Sequence, residues 1–152
     1  MIQIGKEERT AAKRLAPFLW GLFFLFILRV IGQILVVLDL VDFLPPMEEW
    51  QSGLLPYKYL LASQIIIILF YGKICRDFSR GKGFFAVPFK KLGKGFMIFG
   101  AVYFISMVIR YILQMIIYPE TRWFGGTIPI FLHFVLATFL ILVGKYHLKN
   151  VY

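Results

Sequence analysis

The chain has 152 residues, 60% of them hydrophobic and only 16% charged, with a mean hydropathy of +0.78. Soluble domains are closer to half apolar and a quarter charged, so the composition excludes an ordinary water-soluble fold, and the net charge of +9 points to a bilayer rather than to nucleic acid. Cys75, the single cysteine, excludes a disulfide scaffold and any thiol relay that needs a cysteine pair.

The basic opening segment, with Lys6, Arg9, Lys13 and Arg14, resembles the start of a signal peptide. The apolar stretch behind it is too long for one, and no small-residue cleavage site follows. Residues 6–15 read instead as a short helix on the cytoplasmic side. Four stretches are long enough to cross about 30 Å of hydrocarbon at about 1.5 Å per residue. They cover residues 16–38, 57–74, 96–118 and 127–146. The predicted fold is thus an all-α integral membrane protein, a single domain over residues 1–152 built as a four-helix bundle.

Orientation follows from the loops. The opening segment, the loop 75–95 and the closing residues Lys145 and Lys149 carry most of the 17 Lys and Arg. The outer connections hold Asp39, Asp42, Glu48, Glu49 and Glu120 against Lys58 and Arg122. Basic residues collect on the cytoplasmic face, so both termini are expected inside, in a bacterial inner (plasma) membrane.

The two outer connections share a pattern. Pro46, Trp50, Gly53 and Pro56 in the acidic loop 39–56 can be laid on Pro119, Trp123, Gly126 and Pro129. Upstream, Arg29 and Gln33 match Arg110 and Gln114 in spacing. This reads as duplication of a helical hairpin, giving two parallel repeats about an axis along the membrane normal. Trp50 and Trp123 are expected at the membrane–water boundary as aromatic anchors.

Polar residues inside the spans are costly and so carry most of the functional information. The first span has Arg29 and Gln33 on one face, and the third has Tyr103, Ser106, Arg110 and Gln114 as a stripe. The second contributes Gln64 and Tyr71, and the fourth His133. Counted at about 1.5 Å per residue, Arg29 and Arg110 lie roughly 20 Å from the inner boundary, and Gln64 and His133 roughly 10 Å from the outer one. In a core of about 30 Å these depths coincide, so each helix places a polar side chain in one layer of the outer half. A central arginine costs about 2.5–3.5 kcal/mol, so both should face the protein interior or water. No predicted span supplies a carboxylate to pair with them. Arg29, Gln33, Gln64, Tyr103, Ser106, Arg110, Gln114 and His133 are therefore the candidate ligand-binding residues.

The predicted inner loop interleaves aromatic and basic residues: Arg76, Arg80, Lys82, Phe84, Phe85, Lys90, Lys91 and Lys94. Rings in the head-group region and cations on anionic lipid make it a membrane-interface segment. Its Gly-Lys pairs do not fit a phosphate-binding loop. A haem site needs facing histidines, and only His133 lies in a span, so no cofactor or metal site is legible.

The expected role is a non-enzymatic ligand-binding or accessory subunit. Its expected partners are anionic lipids on the cytoplasmic face and either a larger membrane complex or further copies of itself. A small oligomeric anion or solute transporter or channel is the alternative. A lipid-modifying enzyme using His133 as acid and base ranks last.

Overall fold

A computed structural model describes residues 5–46, 50, 56–119 and 128–150. They form four helices in chain order: α1 (Lys6–Val37), α2 (Tyr57–Arg80), α3 (Lys90–Ile117) and α4 (Ile128–Lys149). All four are long and apolar enough to cross a membrane, and the described residues contain no strand.

The helices outrun the apolar stretches that announce them. Rather than a separate short helix and a span, α1 is one continuous element. The Glu8 carboxylate accepts the backbone N–H of Gly5 at 2.7 Å and, with Glu7, places negative charge at the helix start. Pro17 lies inside α1, near the junction between its basic first turns and its apolar remainder. The predicted loop 75–95 shrinks to residues 81–89, because α2 continues to Arg80 and α3 begins at Lys90. Arg76, Arg80, Lys90, Lys91 and Lys94 therefore sit on helices, all exposed.

The buried face of α1 repeats with heptad regularity: Ala12, Ala16, Leu19, Phe23, Phe26, Val30 and Gln33. Alternating steps of four and three keep one narrow seam facing its neighbours. That seam packs on Tyr71, Ile74, Cys75 and Phe78 of α2, and on Leu132, Leu136, Phe139, Leu140, Val143 and Tyr146 of α4. Helix α1 thus lies against both α2 and α4, whereas the backbone of α3 closely approaches only that of α4 among the described residues. Side chains join α2 to the far pair. The Tyr71 ring stacks on Phe139 at 4.0 Å, its hydroxyl donates to the Leu136 carbonyl at 3.0 Å, and Phe70 meets Phe96 edge-on.

Small residues set the α3–α4 seam. Gly93 and Gly100 are the only α3 residues buried in the structure, and they are seven apart, as are Ala137 and Gly144 on α4. A Cβ on Gly144 would stand 2.8 Å from the Met97 nitrogen and 3.1 Å from the Gly93 carbonyl oxygen. One on Gly100 would stand 3.2 Å from the Ala137 carbonyl oxygen. The two backbones are in contact, an approach that small residues permit between membrane helices. Most of the remaining α3 surface is apolar and exposed, including Ile98, Val102, Ile105, Ile109 and Ile116.

The inner connection is folded back rather than spread on a surface. Gly81 ends α2 in a left-handed conformation, with Lys82 N–H donating to the Asp77 carbonyl and Gly81 N–H to that of Phe78. The nearly buried Asp77 carboxylate binds Lys73 at 2.5 Å and accepts the Phe85 N–H at 3.2 Å. It leaves no room for a Cβ on Gly83, where φ is +117°. Phe85 consequently turns toward Phe70 and Phe96, although the sequence reading put it in lipid head groups. Phe84 and Lys82 stay exposed. Tyr146 ties this end together, its hydroxyl 2.6 Å from the Ala86 carbonyl and 3.2 Å from that of Glu8. The Phe89 N–H donates to Nδ1 of buried His147 at 3.1 Å. The start of α1, the end of α4 and the loop 81–89 therefore meet at one end.

Candidate functional site

At the opposite end, polar side chains gather in two groups. The first is built on α1 and α2. Gln33 is the next residue on the α1 seam after Val30, so its amide is carried into the packed interior. Its Oε1 accepts a hydrogen bond from the Arg29 guanidinium, one turn back on the same helix. The same oxygen accepts from Gln64 Nε2 at 2.9 Å. Gln33 is fully buried and Gln64 is 3% exposed.

Trp50 closes this group. Sequence reading placed it at the boundary as an anchor, but the ring is buried at 6% exposure. Its indole N–H donates to the Pro45 carbonyl at 2.8 Å, and its own carbonyl accepts from Arg29. The guanidinium carbon lies 5.9 Å from the ring centroid, in cation–π range. Beneath the ring is Gly32, where a Cβ would stand 2.7 Å from the indole. Gly32 is thus a site residue that sequence reasoning missed. Its signal was a glycine in mid-helix beside a candidate polar residue. The matching pattern around Trp123 lies outside the described residues.

The second group is built on α3 and α4. The Tyr103 hydroxyl is hydrogen-bonded to His133 Nδ1, with the rings edge-on at 5.4 Å. Arg110 lies within electrostatic reach of both Tyr103 and His133. Arg29 also lies within electrostatic reach of His133. The depths counted from the sequence put Arg29, Arg110, Gln64 and His133 in one layer, whereas the hydrogen bonds pair Gln64 with Gln33 and His133 with Tyr103.

One candidate stands apart: Ser106 is exposed, and its hydroxyl donates to the Val102 carbonyl of its own helix at 2.8 Å. Gln114, half-buried, lies one turn beyond Arg110 on the same helix. Tyr57, absent from the sequence-derived set, lies within electrostatic reach of Arg29.

The chemistry of the first group is unbalanced. Arg29 Nε, Gln33 Nε2 and Gln64 Oε1 are buried and lack hydrogen-bond partners. Two are donors and one an acceptor, set around a single amide. Leaving such groups unpaired costs about 1–3 kcal/mol each, so a complementary polar group entering here gains that much. Neither arginine has a carboxylate within ion-pair distance among the described residues. The arrangement is therefore suited to a group that accepts hydrogen bonds and carries negative charge.

Compared with known protein families, with curated proteins and with solved structures, the chain finds no match.

Proposed function

We propose that the chain is a non-enzymatic membrane protein that binds a small carboxylate- or carbonyl-bearing amphiphile, alone or as the accessory subunit of a larger complex. The carrying observation is the unpaired donor set on Arg29 and Gln33 beside the unpaired Gln64 oxygen, with Arg29 and Arg110 both within electrostatic reach of His133. In this reading the four helices form a bundle with both termini in the cytoplasm of a bacterial inner membrane. The meeting at one end of α1's start, α4's end and the loop 81–89, flanked by the basic helix ends at Arg76, Arg80, Lys90, Lys91 and Lys94, supports that topology. The repeated hairpins would then be two halves facing each other across the ligand, one offering Arg29 and the other Arg110. Trp50 would act as the outer cover.

The test uses a long-chain fatty carboxylate as probe, added to the purified chain in neutral detergent. The wild type is expected to gain melting temperature with a saturable dose response, and Arg110→Gln to weaken that response about tenfold, which is roughly 1.4 kcal/mol. An equal response in both proteins would remove the two-arginine site. If reconstituted protein instead moves an anion across vesicles and Arg110→Gln abolishes the movement, the transporter reading replaces this one.

A further inference from the structure

A groove with a volume of about 720 Å³ lies at the other end of the molecule, between the first turns of α1 and the last turns of α4. Lys6 and Arg14 line it from α1, and Lys145 and Lys149 from α4. Lys6, Thr10 and Arg14 recur every four residues and so form one stripe, as do Lys145 and Lys149 on the facing helix. Glu7 is the only acidic residue in the lining.

Going deeper, the lining changes character on both helices at the same level. Past Arg14, α1 presents Leu15 and Phe18, and before Lys145, α4 presents Leu142. At about 1.5 Å per residue the change falls within roughly 6 Å of the cations on either helix. Phe18 is 67% exposed, an apolar ring open to whatever fills the groove. The helices are fixed relative to each other here by the shared α1–α4 core and by Tyr146, which reaches the Glu8 carbonyl. The groove is thus a preformed cleft, cationic at its mouth and apolar along its length.

We infer that this groove binds one anionic glycerophospholipid from the adjacent leaflet, with its phosphate among Arg14, Lys145, Lys149 and Lys6 and an acyl chain along Phe18 and Leu142. Charge complementarity selects the head group, and each Lys or Arg near an anionic surface contributes about 1 kcal/mol. The apolar continuation selects a lipid over a free anion. The site differs from the generic attraction of a basic loop, because both its polar and its apolar parts come from α1 and α4. It also does not depend on the outer ligand site.

Native mass spectrometry of the full chain from nanodiscs holding equal phosphatidylglycerol and phosphatidylcholine tests this. The wild type is expected to carry one phosphatidylglycerol in at least tenfold excess over phosphatidylcholine. The triple variant Arg14→Gln, Lys145→Gln, Lys149→Gln should lose that preference. The triple variant Lys90→Gln, Lys91→Gln, Lys94→Gln, with the same charge removed from exposed positions of α3, should keep it. Equal loss in both variants, or equal retention of the two lipids by the wild type, overturns the proposal. So does displacement of the lipid by millimolar inorganic phosphate, which would show that the apolar half contributes nothing. Unchanged melting temperatures of both triple variants exclude misfolding as the cause.

Discussion

Gly144→Val is expected to separate α3 from α4 and to cost roughly 1–3 kcal/mol or more, the range for overpacking a close contact. The new side chain meets backbone, not a movable side-chain tip: the Met97 nitrogen, the Gly93 carbonyl oxygen and Met97 Cα all lie within 3.2 Å of its Cβ. No rotamer change relieves that contact, so the axes must move apart. Because α4 is the only helix whose backbone α3 approaches closely among the described residues, little beyond side-chain contacts such as Phe96 with Phe70 holds it once the seam opens. Gly95→Val is the matched control, since a Cβ there meets nothing within 4 Å. A lowered melting midpoint for the first, with the second unchanged or slightly raised, would establish the seam. Equal midpoints would refute the close approach.

The second large effect is expected at Gln33. Its Oε1 serves two donors, so Gln33→Leu leaves the Arg29 guanidinium and the Gln64 amide each short of a buried partner. Neutral hydrogen bonds between membrane helices average about 0.6 kcal/mol, and losing a charged donor's partner costs more, so about 2 kcal/mol is expected in all. Gln33→Glu separates stability from binding. A carboxylate can still accept from both donors, and Arg29 is already buried beside it, so the ion pair adds little desolvation beyond the new charge. Its melting midpoint should therefore match or exceed the wild type, while the response to a fatty carboxylate disappears through repulsion and loss of the amide donors. A Glu variant as unstable as the Leu variant would show that Gln33 does not link Arg29 to Gln64.

Much of this architecture was legible from the sequence because bilayer thickness converts directly into lengths of apolar chain. What hydropathy missed were places where a charge or a small residue acts through packing. Arg76, Asp77 and Arg80 ended the apolar run of α2 early, yet the helix continues through them because Lys73 and the Phe85 N–H satisfy the Asp77 carboxylate. Gly93, Gly100, Ala137 and Gly144 repeat at a heptad interval that a search for small residues would have found. Apolar periodicity does not register them, since they contribute almost no side chain. At the site, counting residues from the two boundaries set Arg29 and Arg110 level with Gln64 and His133, whereas the hydrogen bonds join Gln64 to Gln33, one turn beyond Arg29, and His133 to Tyr103, two turns before Arg110. Direction around the axis is less certain from sequence. Ser106 fits the stripe on α3 but faces outward, and its hydroxyl is satisfied by its own backbone. Trp50 looked like a boundary anchor because an amphipathic ring suits either place, and only Gly32 makes room for it inside.

The packing order α2–α1–α4–α3 also bears on how the protein is made. Helices leave the ribosome in chain order, so α1 is already in place when α2 follows. This suits α2, the least apolar of the four, because Gln64 meets Gln33 on arrival. For α3 the situation is reversed: α4, the helix along which it packs most closely, is synthesised after it. Until then Arg110 and Tyr103 lack His133, and α3 rests on its own apolar surface or on the insertion machinery. Assembly of the chain is therefore expected to pass through a three-helix stage with an unshielded arginine. Nascent chains arrested at increasing lengths would reveal that stage as α1–α2 cross-linking before α4 emerges and α3 cross-linking only afterwards. Early docking of α3 onto α1 or α2 would contradict it.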